Sequence, residues 1–228
     1  MAYKALIIGV DEYIDKKSFV PLDNVANDVQ AITQILNNSA CKYDTTVLTG
    51  QSATFEYILH CIDDFFINCD TEDILFLYWA GHGMSNVFIA YNTESQRLSK
   101  TTIKMNDIKD TIENSKAETV VSIFDCCYSG SMVRAHKRMP NMKIVGEGKV
   151  IITSSDYYQI SHESKSSGHG LFTTYFLEGL MGEAASKNGD ITLSGLYSYI
   201  CKQMGQCGIS QTPIMHGTFV GEVLIDKI

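Results

Sequence analysis

The stretch Ile74-Leu75-Phe76-Leu77-Tyr78-Trp79-Ala80-Gly81-His82-Gly83 decides the fold. Its first seven residues are apolar or aromatic without a polar interruption, the pattern of a short strand covered on both faces. Gly81 ends the run and leaves His82 just past its carboxyl end. A second run, closing with Ser122-Ile123-Phe124-Asp125-Cys126, stops in the same way at Cys127-Tyr128-Ser129-Gly130. Lys4 to Val10, Thr45 to Thr49 and Lys149 to Thr153 also have strand character. Between the strands, apolar residues recur at helical spacing: Val25, Val29, Ile32 and Leu36, then Phe55, Ile58, Ile62 and Phe66, then Met105, Ile108 and Ile112. Phe172 to Leu180 and Leu193 to Met204 predict two more helices. Val87 to Tyr91 is expected to be a hairpin or edge strand, and Val223 to Ile225 a last strand closing the sheet. The stretch 131–148 is the longest with no regular pattern.

Strands alternating with helices predict an α/β fold, a mostly parallel sheet with helices on both faces. Ligands of such sheets bind at the carboxyl ends of the strands. His82 and Cys127 both fall there.

Bulk composition narrows the function classes. The 228 residues suit a single domain spanning 1–228, and 45% hydrophobic with 19% charged residues is ordinary for a globular protein. A net charge of -8 argues against a nucleic-acid partner. Without an apolar run long enough to span a bilayer, no membrane partner is expected and the location is expected to be cytoplasmic. Seven cysteines without metal-ligand spacing predict neither a disulfide framework nor a metal site, in keeping with a reducing compartment. Gly9-Val10-Asp11 carries no glycine-rich phosphate signature, so no nucleotide or other cofactor is expected.

What remains is cysteine chemistry. A thiolate is the reactive form of cysteine, and a neighbouring imidazole favours it by holding the departing proton. His82 would then return that proton to a leaving amine. Glycines on either side of the histidine let a substrate backbone approach. The Gly83 and Cys127 N–H groups are candidates to hold the oxyanion. Alternation along a strand puts Asp125 on the same face as Cys127 and turns Cys126 toward the core. A lone cysteine or histidine is more often core than catalyst; the joint placement at two strand ends carries the reading. Gly168-His169-Gly170 repeats the Gly-His-Gly pattern but precedes a helix, so a turn or helix start is expected, with His169 as the alternate histidine.

Tyr78-Trp79-Ala80-Gly81-His82-Gly83 and Asp125-Cys126-Cys127-Tyr128-Ser129-Gly130 together resemble the caspase and metacaspase clan of cysteine peptidases, most closely its prokaryotic members. The resemblance extends over Ala5 to Asp11, Val25 to Asp28, Phe172 to Leu180 and Gln211 to Pro213. It implies a three-layer fold on a six-stranded sheet, with Cys127 as nucleophile and His82 as its partner. The 45 residues between them compare with about 50 in the caspase signature. By the same resemblance Asp125, which opposes thiolate formation by like charge, lines a specificity pocket with Asp28 of Asn27-Asp28. Two acidic groups there would complement Arg or Lys before the scissile bond, Arg being favoured by its planar fork. Ala80 replaces a serine common in metacaspases, and Asp156 would help shape the cleft. Arg134, Lys137, Arg138 and Lys143 mark a basic processing loop. Ser99-Lys100-Thr101-Thr102 stands where calcium-dependent members carry aspartates, so no calcium dependence is expected. The implied activity is endopeptidase cleavage of protein substrates in a bacterial stress or anti-phage response, under an activating or inhibiting protein partner. The alternatives are a non-catalytic scaffold that binds a partner in the same groove, and an ester or thioester hydrolase.

Overall fold

A computed structural model of the chain describes residues 1–84, 86–126, 147–155, 163–164, 168–208 and 210–228. The first half runs β1 (Tyr3–Gly9), α1 (Val25–Asn38), β2 (Asp44–Thr49), α2 (Phe55–Ile67) and β3 (Ile74–Ala80). It continues through β4 (Gly83–Met84), β5 (Val87–Ile89), α3 (Leu98–Thr101), β6 (Thr102–Lys104), α4 (Met105–Asn114) and β7 (Thr119–Asp125). The second half runs β8 (Glu147–Thr153), β9 (Glu163–Ser164), β10 (His169–Gly170), α5 (Leu171–Glu178) and β11 (Asp190–Thr192). It ends with α6 (Leu193–Gln206), β12 (Ile214–Val220) and β13 (Leu224–Lys227).

The apolar runs form the centre of a six-stranded sheet ordered β12-β8-β7-β3-β1-β2. All neighbouring pairs are parallel except β12 with β8. This is the mostly parallel α/β sheet that the strand–helix alternation predicts. Side-chain alternation divides its core in two. Leu77, Trp79, Phe124 and Cys126 pack toward α2 and α4, with Ile58, Ile62, Ile108 and Ile112. Tyr78, Ala80, Val121 and Ile123 pack toward α1, α5 and α6, with Val29, Ile32, Phe172 and Ile200. The predicted helical stripes are the buried faces: Val25, Val29, Ile32 and Leu36 are all enclosed in α1. Thr54 and Thr192 start α2 and α6 as N-caps, each accepting a main-chain N–H from three residues on.

One expectation about the C-terminal region changes. The strand that closes the sheet is Ile214–Val220, and the strand near Val223 belongs to a separate pair of β13 with β11. Met215, His216, Gly217 and Thr218 lack the continuous apolar pattern of a central strand because β12 is an edge strand covered on one side only. Val87 to Tyr91 contributes the middle strand of a small β4-β5-β6 sheet, in line with the predicted hairpin.

The β8–β12 pairing has a direct test at Gly148. A Cβ there would overlap Thr218 O and the Phe219 Cα. Backbone atoms cannot turn aside, so Gly148→Ala is expected to destabilise the protein by about 1–3 kcal/mol, the range for overpacking. Unchanged thermal melting would contradict the pairing.

Candidate active site

The rim where β1, β3 and β7 end carries five of the residues singled out from sequence: Asp28, Ala80, His82, Gly83 and Asp125. Ala80, the last residue of β3, is in register with Gly9 on one side and Asp125 on the other. Gly81 then takes φ +154°, beside Val10 and Tyr13, and turns the chain out of the sheet. Here a positive φ has a reason: a Cβ would stand 3.2 Å from the Val10 carbonyl oxygen. His82 follows, above the α2/α4 side of the sheet.

His82 is held at three points, none of them legible in the sequence. Its main-chain N–H donates to the Tyr13 hydroxyl at 3.0 Å, and that hydroxyl donates to Val10 O at 2.7 Å. The Tyr13 ring, fully buried, stacks on the imidazole with centroids 5.0 Å apart. Burial raises the Tyr13 pKa, so the phenol keeps its proton and its role as donor. At the far end of the ring, Nε2 lies 2.7 Å from Val20 O. A carbonyl has no proton to give, so Nε2 carries the hydrogen, which in the neutral ring leaves the lone pair on Nδ1. Pro21 follows Val20 and restricts it to extended conformations, which helps fix the direction of that carbonyl.

Gly83 is suited to the role expected of it. Ile89 N donates to His82 O at 3.0 Å, so residues 82 and 89 occupy a hydrogen-bonded position of the hairpin. Gly83 and Phe88, the next pair, fall on the alternate position, where antiparallel residues exchange no bonds. The Gly83 N–H therefore points out of the hairpin.

On the opposite side of the sheet, two carboxyl groups converge. A Cβ on Gly170 would stand 3.1 Å from Asp125 Oδ2 and 3.5 Å from Asp28 Oδ2. Asp28 is 2% exposed and lies in the first turn of α1. Its carboxylate does not serve that helix alone: Oδ1 accepts from His169 Nδ1 at 2.7 Å, and Oδ2 from Gly170 N at 3.4 Å. Asn27 Nδ2 donates to Gly168 O at 3.1 Å, so the whole second Gly-His-Gly docks on Asn27-Asp28. Burial lowers the His169 pKa. The Thr173 hydroxyl donates to Asp125 Oδ2 at 2.7 Å and takes the Tyr78 hydroxyl as its own partner at 2.8 Å. Burial raises the Asp125 pKa above the usual carboxylate range, against the hydrogen bonds from Ser154 and Thr173.

Several expectations are thus answered by position. Asp28 and Asp125 both reach Gly170; His82, Gly83 and Ala80 stand at the neighbouring strand ends. Cys126 is 2% exposed in the α2/α4 core cluster, as alternation requires. Ala80 cannot supply a hydroxyl to Asp125, but Thr173 from α5 and Ser154 do. Cys127, Asp156, Arg134, Lys137, Arg138 and Lys143 lie outside the described residues. His169 lies in the short strand β10, immediately before α5, where the sequence predicts a turn or helix start, and its ring binds Asp28; the repeated Gly-His-Gly was its one sequence signal. Thr173, Tyr13 and Val20 gave none.

Among the described residues no group of three or more His, Cys, Asp or Glu side chains is arranged to hold a metal ion. No helix among them is long and apolar enough to cross a membrane. A concavity of about 720 Å³ between α1 and β2 lies away from His82, whereas one of about 420 Å³ includes it. The chain matches the family model described as the caspase domain over residues 2–223. None of the curated proteins matches it.

Proposed function

The chain belongs to the caspase-domain family of cysteine peptidases, and on that premise we propose that it is an endopeptidase that cleaves proteins after Arg or Lys. The supporting observation is the arrangement at the rim: two carboxyl groups converge on Gly170, and at the neighbouring strand end stands a histidine whose Nε2 is engaged by Val20 O, leaving Nδ1 for the thiol.

The chemistry runs as follows. His82 Nδ1 takes the proton of the Cys127 thiol, and the sulfur attacks the scissile carbonyl carbon, forming a C–S bond. The oxyanion is met by the N–H groups of Gly83 and Cys127. The C–N bond then breaks as Nδ1 returns its proton to the leaving amine. Water, deprotonated by the same nitrogen, cleaves the thioester and regenerates the thiol. Val20 O holds the Nε2 proton throughout and stabilises the imidazolium, which is the part a carboxylate plays in other triads.

Asp28 and Asp125 bind the substrate cation. A guanidinium entering between them would supply the positive charge that burial of Asp125 disfavours doing without. That charge would also offset the repulsion between Asp125 and the Cys127 thiolate, linking recognition to activation. The proposed setting is cytoplasmic, in a bacterial stress or anti-phage response. Control would come from a protein partner or from cleavage at Arg134, Lys137, Arg138 or Lys143, which the basic character of that sequence supports.

Matched fluorogenic peptides ending in Arg, Lys, Asp or Leu test the reading. Turnover is expected for Arg and Lys, with Arg faster, and at background for Asp and Leu. Preference for Asp, or equal rates for all four, would overturn it.

A further inference from the structure

The cavity on the far side of His82 is not used by the chemistry above. Its floor is Phe19, 7% exposed and packed on Tyr13 with ring centroids 5.8 Å apart. Val20, 66% exposed, Met84, 40% exposed, and Leu98 form its walls, with His82 and Gly83 at the edge. Two large apolar side chains stand open together beside His82, and clustered apolar exposure marks a binding groove. Of the described residues that line the cavity, none is charged. Its polar rim is already occupied: Ser95 Oγ donates to Asp15 Oδ2 at 2.6 Å.

Position identifies the occupant. The acidic pocket belongs to the α1/α5 side of the sheet, with Asp28, Asp125 and Thr173. Phe19, Leu98 and the His82-stacked Tyr13 belong to the α2/α4 side. A peptide whose basic residue enters the acidic pocket must cross the rim to reach the cavity, passing His82 at the crossing. His82 protonates the amine that leaves, so the half of the substrate on its side is the half that begins with that amine. The volume, about 420 Å³, accepts a leucine or phenylalanine side chain and is poorly filled by alanine.

We propose that the groove formed by Phe19, Val20, Met84 and Leu98 is a subsite for a large apolar side chain on the residue immediately after the scissile bond. This deepens the peptidase reading and rests on it. The preferred sequence is then a basic residue followed by a bulky apolar one, so the protein would cut at basic–apolar junctions and spare basic–acidic ones.

The test uses internally quenched peptides that share an Arg and differ only in the next residue: Leu, Phe, Ala, Asp or Lys. Leu and Phe are expected to exceed Ala by about 10-fold or more in kcat/KM, the range for filling an apolar pocket, with Asp and Lys slowest. Met84→Asp places a carboxylate in the groove and is expected to invert the order, raising Lys above Leu. Equal rates across the series in wild type would overturn the subsite while leaving cleavage after Arg intact. Cleavage of none of the peptides would instead overturn the peptidase reading. Should Met84→Asp fold poorly, Leu98→Asp carries the same inversion from the opposite wall.

Discussion

His82→Ala is expected to lower kcat/KM for an Arg-containing peptide by about 10²–10⁴-fold, the usual contribution of a positioned acid–base group. The loss should fall on kcat, with KM nearly unchanged, because the imidazole acts on protons in flight and not on the bound substrate. Stability should be almost unaffected: the ring lies at the rim, and the Tyr13 hydroxyl still receives the main-chain N–H of residue 82. His169→Ala is the informative companion. Its imidazole is bound to Asp28 at 2.7 Å on the other side of the sheet, so its removal should raise KM for Arg peptides and spare the chemistry. If His169→Ala silences the protein and His82→Ala does not, the two histidines have been assigned the wrong way round. Steady-state kinetics on the two purified variants decide this.

The second large effect concerns the paired carboxyls. Asp28→Asn and Asp125→Asn should each reduce cleavage after Arg by about 10²-fold or more, as expected for loss of one partner of a buried, hydrogen-bonded charge pair. Asp125→Asn should also raise stability, and the direction follows from its pKa. Burial raises the folded-state pKa of Asp125, so folding favours its protonated form. The stability this contributes is complete below the ordinary carboxylate pKa and is lost as pH rises through the raised value. Asparagine does not ionise and keeps the hydrogen bond from Thr173. The variant should therefore melt above wild type near neutral pH, the difference shrinking to nothing in acid. Thermal melts at several pH values measure it; a variant less stable at neutral pH would contradict the assigned burial.

The parts of the fold visible in sequence are those written in local periodicity. β3 is an uninterrupted apolar run and β7 is one broken inside only by Ser122, because both their faces are covered, and α1 repeats Val25, Val29, Ile32 and Leu36 because one of its faces is. β12 escaped notice because an edge strand needs only one partner and tolerates His216 and Gly217. The same division holds at the site. Strand alternation sends Asp125 and Cys126 to opposite faces of the sheet, and Cys126 into the core, since period-two geometry is local. Tyr13, Val20 and His169 act through hydrogen bonds spanning 69, 62 and 141 positions along the chain. No spacing rule reaches that far, and two of those bonds use main-chain atoms that any residue possesses.

Treatment with an irreversible electrophile bearing an Arg side chain, followed by peptide mapping, examines the proposed thiol–imidazole pair most directly. A single adduct on Cys127 is expected, absent from His82→Ala over the same interval and slowed in Asp28→Asn. Cys126, 2% exposed, should remain unmodified. A wild-type protein that stays unlabelled, or that is labelled only at another cysteine, would contradict a nucleophile at position 127.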